Sequence, residues 1–204
     1  VANTIEENAL KNKKIINSEG AEVSWSKTDV LLSGSNGLFQ EFSRTNSSYV
    51  ISILAGNKNS MEREFDYKTK VFFSDLGNFD SIGKKTAQRA VRKLNSRKIK
   101  TCKTDIMFDS RIASSLINNL ASATNSSLLI KGTTWLKSQL NKQIFSKGIN
   151  IIDDPLLPKK LRSKILDFEG IKTEKKLLVE DGKLNFFFNN LDCARELKNV
   201  PTGH

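Results

Sequence analysis

At 204 residues, the chain has room for one domain, or for one domain and part of a second. Hydrophobic residues make up 38% and charged residues 27% of it, which predicts a protein that buries a core. The sequence contains no run of about 18 apolar residues, which excludes a transmembrane helix and predicts no membrane partner.

The net charge is +11, and one region is strongly basic. Nine Lys/Arg residues lie between Lys84 and Lys103 without an acidic residue among them. Such a run is typical of a nucleic-acid contact or of a solvated helix face. Because no aromatic residue interleaves it, we favour the solvated face and expect at most weak, non-specific DNA binding. The residues available for that contact are Lys84, Lys85, Arg89, Arg92, Lys93, Arg97 and Lys98.

Cysteine and histidine are scarce. Cys102 and Cys193 do not form a CxxC pair, and His204 is the only histidine. The simplest interpretation is two reduced thiols in a cytoplasmic protein, with a disulfide between them as the less favoured alternative. Since zinc sites draw on His and Cys, we expect no metal and no other cofactor.

The first part of the chain is predicted to be β-rich. Helical spacing of Ile5, Ala9 and Leu10 predicts a helix over residues 4–16. Segments rich in Gly and Asn near residues 34–37, 46–47 and 56–59 separate the β-type runs that follow. These runs cover residues 21–25, 28–32, 39–45, 49–54 and 61–73, and they predict an antiparallel meander.

Helices and strands are mixed from Gly77 onward. Three helices are predicted. The first begins at the N-cap Ser81 and ends near Asn95, the second runs from Asp109 to Thr124, and the third covers residues 131–141. Short strands are predicted at 103–108 and 149–152. The fold class is therefore α+β. We place the domain boundary at Gly77, so that residues 1–76 end an amino-terminal domain and residues 77–204 begin a carboxy-terminal one.

A hairpin is the most distinct local signal. Asp181-Gly182 lies between β-type runs at 175–179 and 183–188, and Asp-Gly favours a type I′ turn with positive φ at both residues. A β-carbon at Gly182 should cost about 1 kcal/mol. The apolar side chains of the hairpin should alternate between the core and a partner-facing side; they are Leu177, Val179, Leu184, Phe186 and Phe188. A short helix containing Leu191, Ala194 and Leu197 should follow.

Several stretches resemble one known family. The carboxy-terminal part contains D-F-E-G-x-x-T-E-K-K from Asp167, V-E-D-G-x-L from Val179, A-R-x-L from Ala194, and T-G-H at the end. These motifs resemble the TldD/PmbA family, also called the modulator-of-gyrase or TldD/TldE protease family. The resemblance covers residues 62–204 and is greater to the PmbA (TldE) branch. It implies the same two-domain division, and a natural chain about twice as long.

The resemblance also implies what this chain lacks. The TldD branch carries H-E-x-x-x-H on a helix, where two His bind zinc and the Glu activates the bound water. That helix corresponds to the one predicted from Asp109. Asn118 and Asn119 stand where that branch has His-Glu, and Ala123 stands where it has the second His. The resemblance therefore implies neither a metal nor a catalytic residue in this chain.

Three pairs of acidic residues have a structural and a chemical interpretation. Asp153-Asp154 precedes Pro155 and suits a turn. Asp167 and Glu169 would share a face in a strand and hold a cation or act in acid–base chemistry, but a turn is favoured. The remaining pair, Glu62 and Glu64, fits a surface strand.

Three functions remain open. The resemblance implies a metal-free subunit of a heterodimeric metalloprotease that acts on unfolded or short peptides, with a TldD-like subunit or a second copy as partner. Whether this chain is itself an enzyme stays open. The alternatives are a basic DNA- or gyrase-associated modulator and a decayed, inactive fragment.

Overall fold

The computed structural model describes residues 1–204, which divide into two compact units. The first unit contains Val1–Cys102 and Lys159–Leu161, and the second contains Lys103–Pro158 and Arg162–His204. Each unit combines helices with a three-stranded antiparallel sheet, which confirms the predicted α+β class. None of the helices has both the length and the apolar character needed to cross a membrane.

The sheet of the first unit is a meander of three long strands. They are β1 (Ile15–Ser33), β2 (Phe39–Asn57) and β3 (Ser60–Lys70), in the order β1-β2-β3. The four shorter β-type runs predicted before residue 55 merge into β1 and β2, because residues 46–47 pair across the sheet instead of turning. The turns predicted near residues 34–37 and 56–59 do form the two hairpins.

Two helices cover one face of this sheet, namely α1 (Ala2–Leu10) and α2 (Phe79–Lys93), and a 3-10 helix at Phe73–Leu76 precedes α2. The shared core contains Ile5, Ala9, Tyr49, Ile51, Ile53, Ala55, Leu76, Ile82, Ala87 and Ala90. The helices approach closely at Gly83, where a β-carbon would lie 2.0 Å from the carbonyl oxygen of Ile5. Asn78 is the N-cap of α2 instead of Ser81, since its side chain accepts a hydrogen bond from the Ser81 amide.

The packing of α2 moves the boundary between the units. Sequence composition places it at Gly77, whereas the first unit extends to Cys102. The reason is that Ile82, Ala87 and Ala90 of α2 belong to the core of the meander. The predicted division into residues 1–76 and 77–204 therefore separates a helix from the sheet on which it packs.

The hairpin of β1 and β2 extends beyond the third strand. The last pair between β2 and β3 is Ser47 with Lys70, so residues 26–33 pair only with residues 39–46. We call this part the ribbon. Large apolar side chains are exposed at its base and along it, including Trp25, Leu31 and Phe39.

The second unit has shorter elements around a smaller core. The helices are α3 (Ser114–Ala123), α4 (Ser126–Ile130) and α5 (Leu191–Glu196), and the strands are β4 (Ile151–Asp153), β5 (Lys176–Glu180) and β6 (Lys183–Leu184). The sheet order is β4-β5-β6. Buried in the core are Leu120, Ala123, Leu136, Leu178, Val179, Leu184 and Phe187.

Two predicted elements of this unit are wrong. Residues 131–141 form turns instead of a helix, because Gly132 has positive φ. Thr134 also donates a hydrogen bond to the carbonyl oxygen of Ala123, and this bond anchors the segment that contains the buried Leu136. Residues 103–108 have no regular structure, since no strand lies beside them; the side chain of Met107 is 97% exposed. The predicted helix from Asp109 begins only at Ser114, after a turn.

Candidate functional site

α3 (Ser114–Ala123) contains the three positions that the sequence resemblance assigns to a metal helix, namely Asn118, Asn119 and Ala123. Its Leu120 and Ala123 are buried in the core of the second unit, whereas Asn118 and Asn119 are exposed. A buried methyl group and two exposed amides are not zinc ligands, because zinc in proteins is bound by thiolate, imidazole and carboxylate groups. No group of three or more His, Cys, Asp or Glu side chains in the structure is arranged to hold a metal ion. The residues present do not fit a metal at α3.

The only imidazole is held in a half-buried polar cluster. The ring of His204 lies 4.8 Å from that of Phe188, and its Nδ1 is 2.9 Å from the Thr202 hydroxyl. Lys164 donates a hydrogen bond of 2.6 Å to the His204 carbonyl oxygen. Burial, followed by the nearby Lys164 ammonium group, lowers the pKa of His204 below its usual value. The neutral imidazole is thus favoured at this position.

Asp153 belongs to the same cluster. Burial raises the pKa of its carboxyl group, while His204, Lys164 and Lys176 act in the opposite direction. Lys176 also donates a hydrogen bond to the carbonyl oxygen of Thr202. The sequence pattern around Asp153 favoured a turn and gave no indication of Lys164 or Lys176. Their distance along the chain from residue 204 gave no signal that they would meet there.

Asp167 and Glu169 form a turn, the favoured interpretation of this pair. Asp167 is buried, and its Oδ1 accepts hydrogen bonds from the amides of Glu169 (2.9 Å) and Ile171 (2.8 Å). Glu169 accepts a hydrogen bond from the amide of Leu191 at the start of α5. Asp154 likewise accepts from the amide of Leu156. These carboxylates accept hydrogen bonds from backbone amides, as the turn interpretation predicts.

Thr202, in the T-G-H motif, forms hydrogen bonds with Asn189. The Asn189 amide donates to the Thr202 hydroxyl and the Thr202 amide donates to the Asn189 carbonyl oxygen, both at 2.9 Å. The Asn189 side chain bonds the Ser126 hydroxyl and donates to the Val200 carbonyl oxygen. Thr202 of the T-G-H motif and Asn189 therefore fix each other's backbone, and Asn189 links this region to Ser126 at the start of α4.

The hairpin tip is held by the segment in front of it. Asp181 and Gly182 have φ values of 46° and 79°, which confirms the predicted positive φ at both positions. The side chain of Gln143 donates to the Asp181 carbonyl oxygen at 2.8 Å, and the Gly148 amide donates to Asp181 Oδ1 at 2.6 Å. The second strand of this hairpin is β6, which covers only Lys183–Leu184 because the chain then leaves the sheet.

Two residues of the basic run form ion pairs within the protein. Arg89 of α2 contacts Glu64 (3.3 Å) and Asp66 (2.7 Å) of β3, and Lys93 contacts Glu64. Glu64 is 3% exposed, so it is not the surface residue that the sequence predicted. The pKa of neighbouring Tyr49 rises to about 12, through burial and the Asp66 charge. The guanidinium group of Arg89 and the ammonium group of Lys93 are thus paired with carboxylates of β3.

The remaining basic residues proposed for DNA contact are exposed. They are Lys84, Lys85, Arg92, Arg97 and Lys98. The first three lie on α2 and the other two follow its end.

Both cysteines are free thiols, with Cys102 exposed and Cys193 buried, so the alternative of a disulfide is not what the structure shows. Burial raises the pKa of the Cys193 thiol, which makes it a poor nucleophile.

Two family models match the chain in succession. The PmbA/TldA metallopeptidase central domain matches residues 1–94, and the PmbA/TldA metallopeptidase C-terminal domain matches residues 101–204. Together with the α+β fold described above, these matches define the class. The chain belongs to the PmbA/TldD family of metallopeptidase-related proteins.

Individual relatives agree with this assignment. A metalloprotease PmbA homologue of Buchnera aphidicola from Acyrthosiphon pisum is 35% identical over 95% of this chain and 43% of its own length. A solved structure from Bacteroides thetaiotaomicron, described as a DNA gyrase modulator, has a TM-score of 0.92 at 28% identity and covers 98% of this chain and 46% of its own. TldE from Thermococcus kodakarensis, at 23% identity and a TM-score of 0.68 over 98% of this chain and 45% of its own, shares the fold. The chain spans less than half the length of these relatives.

Proposed function

We propose that this chain is the metal-free, PmbA/TldE-type subunit of a two-subunit peptidase that acts on unfolded or short peptides. The observation that carries the proposal is the composition of α3 in a chain of this family. Where the TldD branch has zinc-binding imidazoles, α3 presents the exposed Asn118 and Asn119 and the buried Ala123. An amide neither replaces an imidazole on zinc nor acts as a general base. A TldD-like subunit would supply the metal.

A binding role for the meander follows from its open face. Val50, Phe65 and Tyr67 are 41%, 53% and 64% exposed on the face opposite the helices. The rings of Phe65 and Tyr67 are stacked, with centroids 6.1 Å apart. The outer edge of β3 is also unpaired with any strand. An extended peptide can add to such an edge through main-chain hydrogen bonds while its apolar side chains contact the aromatic rings. The role of this subunit is thus to hold the peptide.

The experiment is a reconstitution with a metal-bearing TldD-type subunit. An unstructured fluorogenic peptide should be cleaved only when both subunits are present. The double variant Phe65→Ala/Tyr67→Ala should raise KM and leave kcat of the mixture nearly unchanged, because it removes binding surface and no reacting group. The matched control is Phe39→Ala, which removes a ring that is 69% exposed on the ribbon. Cleavage by this chain alone would contradict the proposal.

A second candidate, a DNA-associated modulator, rests on the exposed basic residues of α2 and the segment after it. Such a patch, with no reading element, gives sequence-independent binding through phosphates. We expect any DNA affinity to fall by roughly 10²-fold or more between about 50 and 200 mM salt if several phosphates are contacted. Fluorescence anisotropy with two duplexes of unrelated sequence measures this. A tight, salt-tolerant complex with only one duplex would favour the modulator over the peptidase subunit.

A further inference from the structure

A row of three residues crosses the open face of the meander, on the side opposite the helices. Glu22 of β1 pairs with Val50 of β2, and Val50 pairs with Tyr67 of β3. The chain neighbours Ala21 and Val23 pack against the core beneath the helices, which directs Glu22 to the other face. Directly opposite residues have Cα atoms about 4.5–5.5 Å apart, so those of Glu22 and Tyr67 are roughly 10 Å apart. The row therefore places a carboxylate on one side of a valine and an aromatic ring on the other.

The carboxylate of Glu22 is not paired within the chain. Glu22 is exposed, and its side chain forms no hydrogen bond or ion pair in the structure. A second carboxylate on this face, that of Glu19, accepts hydrogen bonds from the Ser52 hydroxyl and the Arg63 guanidinium group. One negative charge on the face is thus neutralised by the chain itself, while the charge of Glu22 is available to a cation from outside.

Small residues flank this row and leave it accessible. Gly20 lies beside Glu22 on one side, and no atom lies within 4 Å of the position of a β-carbon at Gly20. On the other side lies Ser24, whose hydroxyl is hydrogen-bonded to that of Ser48 at 2.7 Å. Val50 itself is 41% exposed. A side chain from outside can therefore lie across the valine, with its end between the carboxylate and the ring.

The spacing of the row fits a single cation. A cationic nitrogen binds a carboxylate oxygen at about 3 Å and is attracted to an aromatic ring within about 6 Å of the ring centroid. A gap of roughly 10 Å between Glu22 and Tyr67 allows both contacts at once. The alkyl part of a lysine or arginine side chain packs on an apolar residue such as Val50 while its charged end stays in water. A carboxylate in the same place would instead be repelled by Glu22.

The basic residues of the chain do not cancel this local preference. The net charge of +11 repels a basic peptide at long range. However, the exposed lysines and arginines of α2 lie on the helix side of the sheet. A helix is about 10–12 Å across, which exceeds the Debye length of about 8 Å at physiological ionic strength. The uncompensated charge at the row is thus that of Glu22.

We propose that this row binds the side chain of a lysine or arginine in the bound peptide, with Glu22 as the anionic partner of its charge and Tyr67 as the ring beside it. The inference rests on the proposed function, because it names the class of peptide that the open face of the meander holds. That class is a basic segment in preference to a neutral or acidic one. An exposed ion pair and an exposed cation–π contact each contribute a few-fold in affinity, so together they favour the basic side chain by about tenfold.

Peptide binding by the 204-residue chain alone measures this preference. Three fluorescently labelled, unstructured peptides differ at one central position, which is lysine, norleucine or glutamate; norleucine keeps the alkyl stem of lysine without the charge. Fluorescence anisotropy at about 100 mM salt should give a Kd about tenfold lower for the lysine peptide than for the norleucine peptide, and the glutamate peptide should bind most weakly. Equal Kd values for the lysine and norleucine peptides, or no binding of any of the three, overturn the proposal.

Glu22→Gln tests whether the carboxylate causes the preference. The substitution keeps the shape of the side chain and removes its charge, so the preference for lysine over norleucine should fall to about threefold or less. The matched control is Glu41→Gln, which removes an exposed carboxylate from another position of the same sheet and changes the net charge equally. This control should keep the tenfold preference. Equal losses in the two variants would indicate a general electrostatic effect and overturn the proposal.

The reconstituted peptidase separates this inference from the proposed function. With a metal-bearing TldD-type subunit, the lysine peptide should have a KM about tenfold below that of the norleucine peptide at similar kcat, and Glu22→Gln should remove most of the difference. Cleavage of both peptides at equal KM overturns the basic preference and leaves the proposed function intact. Absence of cleavage of either peptide contradicts the proposed function, and peptide binding by the chain alone then decides the inference.

Discussion

Gly182→Val should destabilise the second unit by roughly 3 kcal/mol or more, well above the penalty for positive φ alone. A β-carbon at Gly182 would lie 2.1 Å from Nε2 of Gln143, 2.3 Å from the carbonyl oxygen of Phe145 and 2.6 Å from that of Ser146. Two of these atoms belong to the backbone and cannot rotate away. The hairpin tip and the segment before β4 would have to separate. The cost of about 1 kcal/mol expected from the sequence considers only the turn conformation.

Gly148 provides the matched control for this effect. It has φ of 84°, close to the 79° of Gly182, but no atom lies within 4 Å of the position of its β-carbon. Gly148→Ala therefore reports the conformational cost alone, about 1 kcal/mol. Gly182→Ala should already cost distinctly more. Urea unfolding, with hydrogen exchange at Val179 to report on the second unit, measures the difference. Equal losses for Gly182→Ala and Gly148→Ala would show that the enclosure of the tip is not energetically important.

Arg89→Ala should destabilise the first unit by about 3 kcal/mol. The substitution leaves Glu64, whose side chain is 4% exposed, and Asp66 without their shared guanidinium partner. Removing one partner of a buried ion pair is costly because the remaining charge is desolvated and unpaired. The neighbouring Lys93 ammonium contacts Glu64 and offsets part of that loss. The free energy of unfolding of Arg89→Lys should lie between those of the parent and of Arg89→Ala, because lysine lacks the fork that contacts both carboxylates.

Arg92→Ala is the control on the same helix. Arg92 is exposed and has the same charge and length, so its removal should change the free energy of unfolding by less than about 0.5 kcal/mol. Both variants lower the net charge equally, which separates the buried network from a general electrostatic effect. If Arg89→Ala and Arg92→Ala have similar urea midpoints, the network of Arg89 with Glu64 and Asp66 does not stabilise the unit.

Local signals predicted the parts of the fold that depend on local chemistry. Asp181-Gly182 needs positive φ at both residues, and that requirement is visible in the dipeptide itself. The turns near Gly37 and Gly56 and the helix α5 are equally local. The short β-type runs were separated too readily, because Asn46 and Ser47 are turn formers that here pair with Ser26 and Trp25. Strand pairing over the whole hairpin overrides their preference.

Tertiary contacts determined the parts that the sequence did not reveal. Residues 131–141 have helical spacing, but Thr134 anchors the chain to α3 and Leu136 is buried as a single insertion. Glu64 resembles a surface residue of a charged strand, and only the position of Arg89 on α2 explains its burial. The meeting of Asp153, Lys164 and His204 is non-local in the same way. No pattern within a short window contains such information.

The residues on which the proposed function depends were, in contrast, read from the sequence. The identities of Asn118, Asn119 and Ala123 on α3 come from the sequence, and the structure adds that the two amides are exposed and the methyl group is buried. A single slip of one helical turn in that comparison would not restore a ligand set, because His204 is the only histidine. The chemistry of the proposed subunit therefore depends on composition more than on placement.

Zinc stoichiometry separates a metal-free subunit from a metal-bearing one. The purified 204-residue chain is incubated with excess zinc, dialysed without chelator, and analysed by inductively coupled plasma mass spectrometry beside a metal-bearing TldD-type subunit treated in the same way. The TldD-type subunit should retain about one zinc per chain, as expected for a catalytic site with His ligands. We expect this chain to retain zinc only near the level of the dialysis buffer. Retention of about one zinc per chain would contradict the assignment as a metal-free subunit.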